Sequence, residues 1–221
     1  MHFLCLHGVG TNSKIFELQT AALRYALGLE HTYDFVEGGE NHPMEPHVAN
    51  LISPDDTFHA YFDPTSGHSL LNALDDLDAL VREADPPYDG VVGFSHGSTL
   101  AATLLTRPDQ SAQPPFKVAV FLSPGMAANH ASLSQDKIEI LQPNTVYQRI
   151  CIPTALVYAE KDEVAPEQGV LLQGLCDEKV MHVAIHQLGH QIPGIKEKRD
   201  LEEAVTAITL AIEDVSRKSE R

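Results

Sequence analysis

Gly90-Val91-Val92-Gly93-Phe94-Ser95-His96-Gly97-Ser98-Thr99-Leu100-Ala101-Ala102-Thr103-Leu104-Leu105 decides the reading of this chain. An apolar run enters Gly93-Phe94-Ser95-His96-Gly97, and Ser98 to Leu105 leave it in a helical pattern. A strand, a tight turn flanked by glycines and a helix are the context that a G-x-S-x-G nucleophile elbow requires. The chemistry explains the glycines. The serine must stand at a strained turn with its hydroxyl clear of the sheet, and side chains two positions away on either side would crowd that turn. The helix that follows aims its first N–H groups at developing negative charge. Alone, such a pentapeptide reads equally well as a plain turn, so the rest of the chain has to decide.

With 221 residues the chain is expected to form one domain, 1–221, with a sizeable core. Its 43% hydrophobic and 21% charged residues are those of a globular protein. No apolar run approaches ~18 residues, so no membrane span is expected. Met1-His2-Phe3-Leu4-Cys5-Leu6 lacks a basic n-region and reads as a first strand rather than a leader. Cys5, Cys151 and Cys176 lie far apart and are odd in number, which points to a reducing, cytoplasmic compartment. The net charge of −16 argues against nucleic acid and anionic membranes as partners. None of the twelve histidines lies in H-E-x-x-H or beside paired cysteines. His182, His186 and His190 have the spacing of a helix face, but the residues around them read as a strand, so neither a metal nor another cofactor is expected.

Outward from the elbow, apolar strand runs alternate with helical patterns. Strands are expected at 2–6, 32–36, 90–92, 117–122, 153–159 and 179–188. Helices are expected at 13–28, with Ser13 as cap, and at 69–84, 98–105, 166–176 and 198–217. Leu70, Leu74, Leu77 and Val81 face inward on the second of these. The alternation predicts an α/β fold, a parallel sheet covered on both faces. Residues 38–66 break the pattern with Pro43, Pro46, Pro54 and Pro64. A loop of that length is uncommon in a compact domain. Phe58, Tyr61 and Phe62 favour a packed excursion, read either as a lid or substrate wall or as a plain ordered loop. Tyr61, Phe62 and Met126 are nominated as substrate contacts.

A serine hydroxyl needs a base, and the base needs an orienting carboxylate. In a parallel sheet the C-terminal ends of the strands share one edge, where loops converge. Asp162 follows the strand ending at Ala159, and His190 follows the last strand. Glu163 competes with Asp162, and His186 with His190, although His186 lies inside the strand run. The order Ser95, Asp162, His190 is that of α/β-hydrolases and not of the two main serine-protease folds. The backbone N–H groups of His96 and of Val9, in His7-Gly8-Val9-Gly10, are the expected oxyanion donors.

Leu6-His7-Gly8, Tyr33-Asp34-Phe35-Val36-Glu37-Gly38, Pro87 to Gly97 and Leu188-Gly189-His190-Gln191-Ile192-Pro193 resemble the serine hydrolase FSH family over nearly the whole chain. The resemblance implies a compact α/β-hydrolase fold with strand order 2-1-3-4-5-6, in which Val9 and Ser95 flank the switch between the first and third strands. It also implies a thioesterase or hydrolase that releases polyketide-type acyl chains in secondary metabolism, or a small carboxylesterase. The family usually has Gln and Ala where this chain has His96 and Ser98, and His96 adds an expected titratable group near the site.

The expected chemistry is cleavage of acyl esters or thioesters through an acyl-enzyme. The alternatives are a general carboxylesterase and, from another class, a non-catalytic binding protein with this fold. The partners expected are a small acyl ester or thioester and an acyl carrier domain of a polyketide synthase. A surface at −16 repels an acidic carrier. Lys196, Lys198 and Arg199 are the clustered cations that could dock one, or else a solvated helix start.

Overall fold

The computed structural model describes residues 1–108, 114–143 and 149–219. Six parallel strands form one sheet: β1 (His2–Leu6), β2 (Thr32–Val36), β5 (Gly90–Phe94), β6 (Val118–Leu122), β7 (Thr154–Ala159) and β8 (Met181–His186), in the order β2-β1-β5-β6-β7-β8. In chain order that is 2-1-3-4-5-6, with the switch between β1 and β5. All five residues of β5 and of β6 are buried, as central parallel strands covered on both sides require.

Side chains alternate between the two faces. Leu4, Leu6, Val91, Ala119, Phe121 and Leu156 pack with α3 (Gly67–Glu83) and α4 (His96–Leu105) in one core. Phe3, Cys5, Val92, Val118, Val120 and Ala155 pack with α1 (Ser13–Gln19), α2 (Ala21–Leu27) and α7 (Lys198–Ser219) in the other. The inward face read for α3 is the buried one: Leu70, Leu74, Leu77 and Val81. Short helices α5 (His130–Leu133) and α6 (Gln168–Gln173) complete the set. The sequence from 126 to 150 has little periodicity, and within it residues 144–148 lie outside the described residues.

The first helical segment is bent rather than continuous. Thr20 N–H still donates to Phe16 at 3.0 Å and Arg24 N–H to Thr20 at 2.9 Å, but the Thr20 hydroxyl also donates to the Phe16 carbonyl at 2.8 Å. Such back-bonding bends helices. Asn12, not Ser13, caps it, through Oδ1 accepting the Ile15 N–H at 2.8 Å.

Residues 38–66 hold a two-stranded antiparallel piece, β3 (Glu40–Asn41) with β4 (His59–Ala60), and a 3-10 turn, Pro46–Val48. The segment is sewn to the loop after β1. Gly10 N–H donates to His59, His59 N–H to Thr11, and Glu45 N–H to Gly10, all at 2.8–2.9 Å. His96 fixes its far end. The ring stacks on Phe62 at 3.9 Å between centroids, and Nε2 accepts the N–H groups of Tyr61 and Phe62 at 3.3 and 3.4 Å. Burial, aided by nearby His7 and His42, lowers its pKa to about 3, so the ring is neutral and is no titrating group in the ordinary pH range.

Gly90 Cα faces Val118 and Phe3 so closely that a Cβ would lie 2.6 and 2.7 Å from their side-chain carbons, whereas Gly39 has open space. Gly90→Ala should destabilise by about 1–3 kcal/mol through overpacking, while Gly39→Ala stays within roughly 0.5 kcal/mol, both read from thermal unfolding. A second outcome follows from His96. The unfolded chain takes up a proton there near pH 6.5, and the folded chain only near pH 3. Stability is therefore full above pH 6.5 and falls below it, by about 2 kcal/mol at pH 5 from this one group. Urea unfolding at pH 8 and pH 5 should show a smaller loss for His96→Gln than for the parent chain, and equal losses would refute the assignment.

Candidate active site

Strand register brings the C-terminal ends of the strands to one edge: Leu6 lies opposite Gly93, Phe94 opposite Leu122, and Ala159 opposite His186. Ser95 follows β5 at φ 51° and ψ −112°, a conformation rare for a residue with a side chain. Its N–H donates to Leu122 at 3.1 Å. The flanking glycines meet backbone, not side chains. A Cβ on Gly93 would come within 2.8 Å of the Ser98 Cα, and one on Gly97 would run into the Leu6 carbonyl. Gly97 N–H donates to the His7 carbonyl at 3.1 Å, which ties the end of β1 to the turn. Gly8 sits flat on the Phe94 ring, where a Cβ would be 2.9 Å from Cδ1.

The three residues singled out at strand ends stand in one hydrogen-bonded row. His190 Nε2 lies 2.8 Å from Ser95 Oγ, and Nδ1 lies 2.7 Å from Asp162 Oδ2. The carboxylate requires a hydrogen on Nδ1, which leaves Nε2 free to accept from the serine hydroxyl. Asp162 Oδ1 accepts the N–H groups of Val164 and Ala165 at 2.9 Å each. Burial pushes the Asp162 pKa up, but the hydrogen bonds from Ala165, His190 and Val164 outweigh it and hold the group below the usual carboxylate value. The side chains of His190 and Asp162 are 9% and 8% exposed, so the pair is largely shielded from water. Asp162, not Glu163, takes the place beside the ring. His186 is buried in β8, where Nδ1 accepts the Leu188 N–H at 3.2 Å and shapes the turn leading to His190. His182 pairs instead with Asp214 of α7 at 2.8 Å, so the three equally spaced histidines do not converge.

Ser123 is a functional neighbour that sequence reasoning missed. It follows β6 at φ 38°, and its hydroxyl donates to the Gln191 carbonyl at 3.0 Å, bracing the loop that carries His190. A serine after an apolar strand has no distinctive signature in one sequence.

Beside Ser95 and His190 opens a cleft of about 410 Å³. Gly8 and Val9 form one side, Glu45, Val48 and Leu51 another, and Val164 and Ile192 a third. His96 follows the serine in sequence and Val9 lines the same cleft, and neither backbone N–H has a hydrogen-bond acceptor among the described residues. The substrate contacts expected at Tyr61, Phe62 and Met126 are not among the residues lining this cleft. Phe62 and Met126 are 2% and 4% exposed in the core, and the Tyr61 hydroxyl donates to the Val36 carbonyl at 2.8 Å while accepting the His7 N–H. Aromatic content marked the 38–66 excursion as packed but not which residues face the serine. Those come from 45–51, where the chain folds back over Gly10. His96 points the other way, into the core under Phe62, so its side chain adds no charge to the cleft.

The family profile described as serine hydrolase (FSH1) matches residues 1–201. The chain is 37% identical over 198 residues to Esterase FPY3 of Fusarium mangiferae, covering 88% of this chain and 89% of that one. It is 31% identical over 206 residues to the probable esterase tazC of Aspergillus terreus, covering 87% and 74%. Among solved structures, Zea mays acyl-protein thioesterase 2 superposes with a TM-score of 0.59 at 17% identity, over 95% of this chain and 93% of the other, a likeness of fold. A parallel sheet with this strand order, a strained serine after its third strand and a profile match over nine-tenths of its length have one common meaning: the chain is a hydrolase and belongs to the serine hydrolase (FSH1) family.

Proposed function

We propose that this chain hydrolyses small acyl esters and thioesters through an acyl-enzyme on Ser95. The observation that carries the reading is the row Asp162–His190–Ser95 at 2.7 and 2.8 Å, opening on a cleft. Ser95 Oγ attacks the carbonyl carbon as His190 Nε2 takes its proton. Asp162 holds the ring and stabilises the imidazolium. The N–H groups of Val9 and His96 receive the charge on the carbonyl oxygen. The imidazolium then gives its proton to the leaving alcohol or thiol. Water, deprotonated by the same ring, cleaves the acyl-enzyme and restores the serine. A non-catalytic binding protein would have no use for a strained serine held against an imidazole that a carboxylate orients.

Release of a polyketide chain from a carrier is the substrate reading that the family resemblance offers, and it needs a basic docking surface. Two of the three cations after the His190 loop pair with carboxylates on their own helix. Arg199 Nε lies 2.9 Å from Glu203 and Lys198 Nζ 3.8 Å from Glu202, each an i,i+4 pair. With a net charge of −16, free acyl esters and thioesters are the favoured substrates over carrier-bound ones. Residues 38–66 act as a fixed substrate wall rather than a hinged lid, a reading supported by the hydrogen bonds that sew them to Gly10 and Thr11. An odd number of cysteines far apart in the chain, with Cys5 and Cys176 buried, supports a reducing, cytoplasmic setting. No helix among the described residues is long and apolar enough to cross a membrane.

A fluorophosphonate should add one adduct to the intact protein and none to Ser95→Ala. Hydrolysis of 4-nitrophenyl butyrate should vanish in Ser95→Ala and drop about 10⁴-fold in Asp162→Asn, which leaves the ring in the wrong tautomer. An unlabelled parent chain would end the enzymatic reading. Replacing Lys196, Lys198 and Arg199 together by Gln should change the turnover of a free thioester less than twofold. A selective loss with an acyl-carrier thioester would revive the carrier reading.

A further inference from the structure

The peptide between Gly8 and Val9 is held from behind by two buried side chains. His7 Nδ1–H donates to the Gly8 carbonyl at 2.7 Å, and the Thr11 hydroxyl donates to the same oxygen at 2.8 Å. His7 is 0% exposed and Thr11 2%. The peptide is trans, as are all described bonds but Asp85–Pro86, so its C=O and N–H point in opposite directions. An oxygen anchored by these two buried side chains therefore aims the Val9 N–H away from them, within the cleft that Gly8, Val9 and Thr11 line with Ser95 and His190. With no side chain at Gly8 to resist it, an unanchored peptide plane could rotate and withdraw that donor.

His7 is itself fixed. Its Nε2 accepts the Gly38 N–H at 3.0 Å and lies 3.0 Å from Glu37 Oε1. Nδ1 carries a hydrogen whether the ring is neutral, with Nε2 accepting, or protonated and paired with Glu37, so the bond to Gly8 survives in either charge state. Glu37 in turn accepts the N–H and hydroxyl of Ser13, at 3.1 and 3.0 Å. Partial burial pushes the Glu37 pKa up, but the adjoining His7 ring and the hydrogen bonds from Ser13 outweigh it and hold the group below the usual carboxylate value. A continuous run of polar contacts thus leads from the start of α1, past the end of β2, to one peptide group beside the serine.

We propose that His7 and Thr11 are positioning residues for hydrolysis: they lock the Gly8–Val9 peptide so that its N–H faces the developing oxyanion, with Glu37 steadying His7. This rests on the reading of Ser95 as nucleophile and Val9 as oxyanion donor. Neither side chain touches the reacting atoms. Their effect belongs to the transition state, where the oxygen gains charge, and not to binding of the uncharged ester.

The test is a pair at one position. Thr11→Val removes the hydroxyl with little change in volume, and Thr11→Ser keeps it. Thr11→Val should lower kcat about tenfold with KM within twofold, less than the 10²–10³ lost with a whole donor. Affinity for a boronic acid, which forms a tetrahedral adduct on the serine, should weaken by the same factor. Thr11→Ser should restore both. A folded Thr11→Val with parental kcat and boronate affinity overturns the proposal, as does a loss that appears in KM alone. Should Thr11→Val fail to fold, Glu37→Ala, at a half-exposed side chain, is read instead: a fall in kcat of severalfold at constant KM supports the proposal, and no change refutes it. A Ser95→Ala protein that still hydrolyses ester would sink the catalytic reading instead, so the two failures are separable.

Discussion

Gly97 packs its bare Cα against the carbonyl of Leu6 and donates its N–H to His7 at 3.1 Å, and the geometry of the whole site depends on that contact. It joins the end of β1 to the turn after β5. The loop with Val9 and the turn with Ser95 are thereby held at a set separation, although those two residues are 86 positions apart. The obstruction to any side chain at 97 is backbone on a central strand, which cannot move aside as a flexible side chain would. The strain at Ser95 persists because several such contacts over-determine it: the Gly93 approach to Ser98, the Ser95 N–H bond to Leu122 and the start of α4.

The sheet supplies the stiffness behind that contact. Its central strands are buried along their whole length, and their two sets of side chains fill separate cores with helices beyond each. Burial of apolar surface at roughly 25 cal/mol per Å² on both faces makes these strands costly to shift by even one residue, since a slip would exchange the faces. Parallel register then places the ends of β1, β5, β6, β7 and β8 along one edge, and each sends a loop into the site. β1 contributes His7 and Gly8, β6 contributes Ser123, β7 contributes Asp162, and β8 contributes His190.

Charge is handled differently inside and outside. The surface carries most of a net −16, while the groups nearest the serine are kept in defined states. Asp162 stays ionised through three hydrogen bonds, and His96 stays neutral because no countercharge accompanies it into the core. On the cleft wall Glu45 pairs with His47 at 2.8 Å. The histidine that distinguishes this chain from the pattern it resembles therefore acts as a strut. It accepts two backbone N–H groups and fastens the 38–66 excursion to the helix that begins at the elbow.

Much of this was legible in the linear chain, and the limit has a physical cause. Period, burial and punctuation are local, so the six strands, the inward stripe of α3 and the elbow glycines can be read directly. Ser95, Asp162 and His190 stand out because each follows an apolar strand run, and parallel order makes such ends neighbours. The bend at Thr20 and the cap at Asn12 escape because a threonine or asparagine has several hydrogen-bonding choices, and context selects among them. The cleft walls escape for a stronger reason. Residues 45–51 are brought to Ser95 by the backbone bond from Glu45 to Gly10, which carries no side-chain identity and so leaves no trace in the sequence. The same holds for the aromatics expected there. Tyr61 and Phe62 are as hydrophobic as a substrate wall demands, but His96 and Val36 claim them for the core. Sequence alone determined which chemical groups this protein possesses and on which edge they would meet. Tertiary structure alone decided which way each peptide and ring faces, because orientation is set by partners distant along the chain.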